Sequence, residues 1–214
     1  MVAPSPHNIT GWVLAGGQGS RMGGVDKGLQ LFQGQALALR AVERLRPQVN
    51  SVCINANRHS EDYRAWGCDV HPDTVDGYAG PLMGFLTGLT HCPTEWLMVV
   101  PCDSPFFPRD LVARLSSVVH EQQALLATVC APEKNLDGQW ALRPQPVFCL
   151  LHRHLLGSLQ SFLDAGGRKI DAWTVQQRMA SVAFNLAGDD PQAFANANTW
   201  EELQALQNPL SLRA

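Results

Sequence analysis

The chain has 214 residues and an apolar fraction of 45%, enough for one domain with a sizeable core. The formal net charge is −3, so the composition gives no support to a nucleic-acid-binding or membrane-surface role, which normally requires a basic face. No stretch approaches the about eighteen consecutive apolar residues of a membrane span. Residues 1–8 lack the basic and apolar regions of a signal peptide, and we expect them to form a flexible tail.

Apolar runs of strand length alternate with amphipathic helical stretches from the start of the chain. Strands are predicted over residues 9–15, 51–56, 68–73, 95–103, 124–131, the first part of 144–166, and 179–186. Helices are predicted over residues 36–47, near 60–66, and over 80–92, 108–123, the second part of 144–166, and 199–207. Pro81 lies in the first turn of its helix, and Thr199 with Glu202 has the spacing of a capping box.

This alternation predicts an α/β fold with a mostly parallel sheet covered by helices on both faces. No linker or internal repeat divides the chain, so we expect a single domain over residues 9–208 and a short tail over 209–214. The six cysteines are scattered, with no C-x-x-C pair, and several lie in apolar runs. This pattern favours buried, reduced thiols and a cytoplasmic location.

The stretch "GGQGSRMGGVDKG" at residues 16–28 contains six glycines directly after the first predicted strand. Backbone N–H groups without side-chain cover make a concave anion site, and such sheets bind ligands where strands end. Arg21 and Lys27 add positive charge to the same segment, so it is expected to bind a polyphosphate. A Walker loop is excluded because no glycine-lysine pair occurs, and the G-x-G-x-x-G fingerprint fails at its last position.

The same stretch, read as L-A-G-G-x-x-x-R-M-G-x-x-D-K, resembles the signature of the nucleotidyltransferases that activate sugars and cofactors. The resemblance is closest to the molybdenum cofactor guanylyltransferases. The motifs "INANRH", "YAGPLMG", "PCDSPF", "RPQPVF" and "FANANTWEEL" occur in that family's order over nearly the whole chain. The chain departs from the family's usual pattern at Gln30, at Gln35 with Ala36, and at Trp200.

The resemblance implies a three-layer, Rossmann-like nucleotidyltransferase fold and a reaction between GTP and molybdopterin or molybdenum cofactor. In that reaction the acceptor phosphate attacks the α-phosphorus of GTP and pyrophosphate leaves. Cofactor-insertion and molybdoenzyme-maturation proteins are the implied protein partners. The catalytic residues would be Arg21, Lys27 and Asp103. The nucleotide-binding residues would be Leu14, Ala15, Gly16, Gly17, Lys27, Asn55, Asp73 and Asp103.

Asp103 ends an apolar strand and would emerge at the same sheet edge as the glycine-rich segment. It is expected to be an oxygen ligand for Mg²⁺ on the triphosphate, although an aspartate there can also cap the following helix. Asn198 is a candidate second metal ligand, with support of the last helix cap as the alternative. Asp73 is either a nucleotide contact or a turn residue.

The acceptor is expected to contact Gly80, Pro81, Asn196 and Asn198, although Gly80 and Pro81 are also consistent with a simple helix entry. Two further functions stay open. One is a cytidylyltransferase acting on the same cofactor or on a polyol phosphate, whose members tend to have Ala-Ala-Gly where this chain has residues 14–17. The other is a non-catalytic nucleotide-binding module that regulates a partner.

Overall fold

The computed structural model describes residues 2–17, 22–74, 80–135 and 137–207. The strands are β1 (Ile9–Leu14), β2 (Leu31–Phe32), β3 (Gln35–Ala36), β4 (Ser51–Asn55), β5 (Asp69–His71), β6 (Trp96–Pro101), β7 (Leu126–Lys134), β8 (Trp140–His152) and β9 (Met179–Ala183). The α-helices are α1 (Leu37–Leu45), α2 (Ser60–Arg64), α3 (Pro81–His91), α4 (Leu111–Gln122), α5 (Leu156–Asp164), α6 (Ile170–Thr174) and α7 (Trp200–Gln207).

Seven of these strands form one sheet in the order β5-β4-β1-β6-β8-β7-β9. Strands β5, β4, β1 and β6 are parallel neighbours, while β8 pairs antiparallel with both β6 and β7. Strand β9 is parallel to β7, so β8 alone among the described strands of this sheet runs in the opposite direction. The mostly parallel sheet predicted from the sequence is therefore confirmed.

Helices cover both faces of the sheet, because alternate residues of each central strand point to opposite sides. On one face, α1 and α4 pack against a core that includes Ile9 and Val13 of β1. On the other face, α3, α5 and α6 pack around Trp12. Gly11 lets α1 lie close to β1, since a Cβ there would be 2.6 Å from Leu45 Cδ2. These are the three predicted layers.

A third, smaller apolar cluster joins the two ends of the chain. Met22 lies within the glycine-rich segment and Phe32 follows it, and both pack with Ala197, Leu203 and Leu206 before and within α7. This packing places α7 beside the predicted phosphate-binding segment, although the two are far apart in sequence.

The structure describes most of the predicted N-terminal tail at residues 1–8 but not the predicted C-terminal tail. Residues Pro6–Asn8 form a 3-10 helix, and the Val2 carbonyl accepts a hydrogen bond from Trp96 Nε1 at 3.3 Å. The predicted tail at 209–214 and the domain boundary at 208 lie outside the described residues. All six cysteines are free thiols and five of them are buried, as predicted. Cys130 is partly exposed. None of the helices in the described part of the chain has the length and hydropathy of a membrane span.

Candidate active site

The carboxyl ends of β1 and β6 lie side by side, because these strands are parallel neighbours with Leu14 paired to Pro101. The pairing extends further, since the Cys102 backbone N–H donates to the Leu14 carbonyl at 3.1 Å. The glycine-rich segment leaves β1 at Gly16, and Asp103 follows β6. Both therefore emerge at one edge of the sheet, which is the adjacency that the sequence argument required.

Lys27 connects the glycine-rich segment to Asp103 and to the region before α7. Its Nζ donates to Asp103 Oδ2 at 2.8 Å and to Asn198 Oδ1 at 3.0 Å. The Lys27 and Asp103 side chains are 18% and 16% exposed, so water still reaches both groups. The Asp103 carbonyl accepts a hydrogen bond from the Ala197 N–H at 3.0 Å, which holds the region before α7 against β6. The Asp103 carboxylate and the Asn198 amide oxygen thus both accept a hydrogen bond from the Lys27 ammonium group.

Asn198 supports the start of α7 through its backbone, which is one of the two alternatives that the sequence left open, while its role as a metal ligand stays a prediction. Its backbone N–H donates to Glu202 Oε2 at 2.6 Å, and the Glu202 N–H donates to Thr199 Oγ1 at 3.2 Å. The Thr199 N–H also donates to Glu202 Oε2 at 3.3 Å, so the two contacts between Thr199 and Glu202 form the predicted capping box at the start of α7. Because only the Asn198 backbone takes part in the cap, its side chain can face Lys27. Asn196 is exposed in the preceding loop.

A second polar cluster lies at the end of β4, on the other side of β1. Asp73 Oδ1 accepts from Asn55 Nδ2 at 3.0 Å, and Asp73 Oδ2 accepts from Asn57 Nδ2 at 2.8 Å. The Asp73 N–H in turn donates to Asn57 Oδ1 at 2.7 Å. Asn57 was missed by the sequence argument, although its spacing of two from Asn55 just beyond a strand end was a readable signal. Asp73 therefore belongs to a hydrogen-bonded cluster with Asn55 and Asn57 and is not an isolated turn residue.

Two glycines leave the space that this polar cluster occupies. A Cβ on Gly16 would be 3.0 Å from Asn57 Nδ2, and a Cβ on Gly84 in α3 would be 2.6 Å from Asn55 Oδ1. The same Cβ on Gly84 would also lie 2.5 Å from Leu14 Cδ2. Gly84 was also missed, yet a glycine inside a helix is unfavourable and indicates a close approach. The Asn55 carbonyl accepts from the Ala15 N–H at 2.8 Å, which ties β4 to the end of β1.

Arg58 contacts the glycine-rich segment on both sides of residues 18–21, which lie outside the described residues. Its guanidinium donates to the Gly24 carbonyl at 3.0 Å and, more weakly, to the Gly17 carbonyl at 3.5 Å. The predicted catalytic residue Arg21 falls in this undescribed part. Arg58 thus lies beside the predicted phosphate-binding backbone.

Gly80 and Pro81 begin α3, the helix that places Gly84 beside Asn55. Gly80 has φ of +130°, a conformation that favours glycine, and Pro81 occupies the first turn as predicted. Their predicted contact with an acceptor stays a prediction.

The chemistry of the neighbouring groups favours charge neutralisation over nucleophilic catalysis by the protein. Burial, followed by the charge of Asp103, raises the pKa of the Cys102 thiol, so this cysteine stays protonated at neutral pH. Within the described part of the chain, no three or more His, Cys, Asp and Glu side chains group together to hold a metal. A divalent cation at Asp103 would need phosphate oxygens or water to complete its coordination, as Mg²⁺ commonly does.

Comparison with known proteins gives consistent results in sequence and in structure. The family model of the MobA-like NTP transferase domain matches residues 11–181. The molybdenum cofactor guanylyltransferase of Acidovorax ebreus (strain TPSY) is 57% identical over 202 residues, which cover 94% of this chain and 96% of that protein. The protein of the same name from Albidiferax ferrireducens is 55% identical, covering 94% of this chain and 97% of that protein.

Among solved structures, the molybdopterin-guanine dinucleotide biosynthesis protein A from Archaeoglobus fulgidus has the same fold. It aligns with a TM-score of 0.73 and 16% identity, covering 96% of this chain and all of that one (100%).

Proposed function

The chain belongs to the MobA-like NTP transferase family, and we propose that it transfers GMP from GTP to the phosphate of molybdopterin or molybdenum cofactor. The product is the guanine dinucleotide of the cofactor. An acceptor phosphate oxygen forms the new bond to the α-phosphorus. The bond between the α-phosphorus and the oxygen that bridges the α- and β-phosphorus atoms breaks, and pyrophosphate leaves with the electron pair. The names of full-length relatives at 55–57% identity support this substrate pair.

The observation that carries the proposal is the contact of Lys27, near the end of the glycine-rich segment, with Asp103 and Asn198. Lys27 Nζ lies 2.8 Å from a carboxylate oxygen and 3.0 Å from an amide oxygen at the carboxyl edge of the sheet. A triphosphate at this edge would meet an ammonium group and the unshielded backbone N–H groups of the segment. Both neutralise phosphate charge, which is the main requirement for catalysing phosphoryl-group transfer.

Lys27 would exchange partners when the nucleotide binds. Its ammonium group is held by Asp103 in the free protein, and the β- and γ-phosphates of GTP carry more negative charge than one carboxylate. We therefore expect Lys27 to turn toward the phosphates, which frees the oxygens of Asp103 and Asn198. Since the acceptor is already an anionic phosphate at neutral pH, the reaction needs positioning and charge neutralisation more than a strong general base.

Asp103 and Asn198 fit a divalent cation, because their oxygens are the hard donors that Mg²⁺ prefers and they already accept a cationic group. Mg²⁺ bound there would offset negative charge on the phosphates.

The second polar cluster would bind the nucleoside part of GTP. Asn55 and Asp73 match nucleotide-contacting positions of the guanylyltransferases, and the amides of Asn55 and Asn57 hold the Asp73 carboxylate in one orientation. The acceptor would lie toward Asn196 and the start of α3 at Gly80, on the side where the α-phosphorus is attacked.

The test is a transfer assay with purified protein, Mg²⁺, molybdopterin and either GTP or CTP. We expect pyrophosphate release and dinucleotide formation with GTP, and a loss of about a hundredfold or more in Asp103→Ala. Asp137→Ala is the control for general effects of removing an aspartate, because Asp137 is exposed on the surface. Preferential use of CTP would favour a cytidylyltransferase. Nucleotide binding without turnover would favour a regulatory module.

We further propose that the protein acts in the cytoplasm and passes its product to cofactor-insertion and molybdoenzyme-maturation proteins. Six free thiols support a reducing compartment. Co-purification of a tagged chain with cofactor-binding proteins would test these partners.

A further inference from the structure

Asp26 is a buried carboxylate directly before Lys27 in the chain. Only 7% of it is exposed, and a buried charge is costly unless hydrogen bonds satisfy it. Its Oδ1 accepts the Gly28 N–H at 3.0 Å, which caps the 3-10 helix Lys27–Leu29. The same oxygen accepts the Tyr63 hydroxyl at 2.5 Å. The residue next to the proposed phosphate-binding lysine is thus anchored by two donors.

Tyr63 reaches this carboxylate from the fully buried side of α2. Its exposed fraction is 0%, and its ring packs edge-on against Trp66 with ring centroids 5.2 Å apart. Burial, followed by the hydrogen bond to Asp26, raises the pKa of Tyr63, so the hydroxyl stays protonated and remains a donor. The ring is therefore fixed by packing, and its hydroxyl is available only to the carboxylate.

Gly28 lets the lysine segment lie directly against these groups. A Cβ on Gly28 would overlap the Tyr63 hydroxyl and would come within 3.2 Å of the Cβ atoms of Ala15 and Ala38. The segment is thus seated between β1, α1 and α2, and a sideways shift would break the two hydrogen bonds to Asp26. Because Asp26 is covalently joined to Lys27, its position determines where the lysine side chain begins.

We propose that Tyr63 is a positioning residue for GTP binding and transfer, acting through Asp26 to place Lys27 at the phosphates. This inference rests on the proposed function, in which Lys27 contacts the triphosphate. Tyr63 itself lies in the core behind the lysine segment and touches no substrate. A tyrosine needed only for packing could be replaced by phenylalanine with little effect on nucleotide binding.

The first experiment compares Tyr63→Phe with Thr10→Val in the full chain. Thr10 is also fully buried, and its hydroxyl shares a 2.8 Å hydrogen bond with Thr94 at the amino end of β1, away from the site. Both variants lose one buried hydroxyl and keep the side-chain shape. We expect Tyr63→Phe to weaken GTP·Mg²⁺ binding and lower kcat/KM about tenfold, because a hydrogen bond to a buried charge is lost.

Thr10→Val should stay within about twofold of the wild type in the same assays at equal fractions folded. Equal functional losses in the two variants would show that Tyr63 matters only for stability, and the proposal would then be wrong. Thermal unfolding of each variant, measured alongside, ensures that the comparison is made on folded protein.

The second experiment places Tyr63→Phe in a Lys27→Met background. If Tyr63 acts through Lys27, removing the lysine first should leave the tyrosine substitution with little further effect on the GTP dissociation constant. Full additivity of the two losses would overturn the inference.

Measuring GTP binding without acceptor separates this inference from the proposed function. If GTP binds and the coupling is present but no dinucleotide forms, the proposed transfer is wrong and Tyr63 still positions Lys27. If transfer is intact and the coupling is absent, only the inference is wrong. A wild-type chain that binds no nucleoside triphosphate overturns both.

Discussion

Replacing Lys27 by methionine should destabilise the nucleotide-free protein, because it leaves the Asp103 carboxylate without its cationic partner. The atoms of this ion pair are 2.8 Å apart, which corresponds to an attraction of about 6 kcal/mol at an effective dielectric constant of about 20. Desolvation and side-chain ordering offset most of that value. Exposed pairs contribute up to about 1 kcal/mol, and breaking a fully buried pair costs about 3–5 kcal/mol.

The side chains of this pair are 18% and 16% exposed, so the loss should fall between those limits, at about 2 kcal/mol. For a domain of this length, that free energy corresponds to a fall in Tm of about 4–8 °C. Lys169→Met is the matched control, and we expect its Tm to stay near the wild-type value because Lys169 is exposed.

The response to Mg²⁺ without nucleotide makes the test specific to this site. In the wild type the ammonium group of Lys27 occupies the oxygens of Asp103 and Asn198, so added Mg²⁺ should change the Tm little. In Lys27→Met the same oxygens are free, and Mg²⁺ at about ten times its dissociation constant should restore about 1.4 kcal/mol. Thermal unfolding followed by circular dichroism, with EDTA and then with increasing Mg²⁺, measures both effects. A variant as stable as the wild type, or a wild type that Mg²⁺ stabilises equally, would refute the reasoning.

Three further predictions concern activity, packing and pH. Asp103→Asn, which keeps the shape and removes the charge, should lower dinucleotide formation about a hundredfold in a chromatographic product assay, and near-normal activity would contradict its role. Gly84→Ala should weaken GTP binding measured by calorimetry, because its Cβ would lie 2.6 Å from Asn55 Oδ1 and displace that side chain. Burial, followed by the neighbouring charge of His91, lowers the pKa of His71, so the unfolded chain binds this proton more readily. The free energy of unfolding should therefore fall as the pH drops below about 6.5, and urea unfolding of His71→Gln should show a shallower decrease; an unchanged slope would exclude His71 as its source.

The strands that form the centre of the sheet could be predicted from the sequence because they are buried on both faces. Strand β1 ends one residue before its predicted limit, and the predicted alternation with helices gave the three layers. The reversed direction of β8 could not be predicted, since an apolar run reports burial and carries no information about strand direction. The small β2–β3 hairpin was missed because two-residue strands have no periodicity. Gln33 and Gly34 form its turn and both have positive φ. Because glycine favours that conformation, Gly34 was the sequence signal for this turn.

Only those residues of the candidate site that lie at strand ends could be placed from the sequence. Asp103 was expected beside the glycine-rich segment because parallel neighbours end at the same edge. The contact between Lys27 and Asn198 joins residues 171 positions apart and depends on apolar packing of α7. The contact between Tyr63 and Asp26 depends likewise on how α2 docks. Such contacts between helices and loops leave no periodic signal in one sequence.

The arrangement of the two polar clusters explains why glycine begins the segment after β1. One cluster follows β4 and the other follows β6, and β1 lies between these strands in the sheet. Neighbouring strands are about 4.8 Å apart, so the two clusters are separated by about 10 Å across the end of β1. A ligand that contacts both must cross this end, where any side chain would stand in its path. A Cβ on Gly16 would already be 3.0 Å from Asn57 Nδ2, and Gly17 has open space around it. This spacing supports our proposal that one elongated ligand binds along the edge, with its phosphates at Lys27 and its nucleoside at Asp73, rather than two small ligands in separate sites.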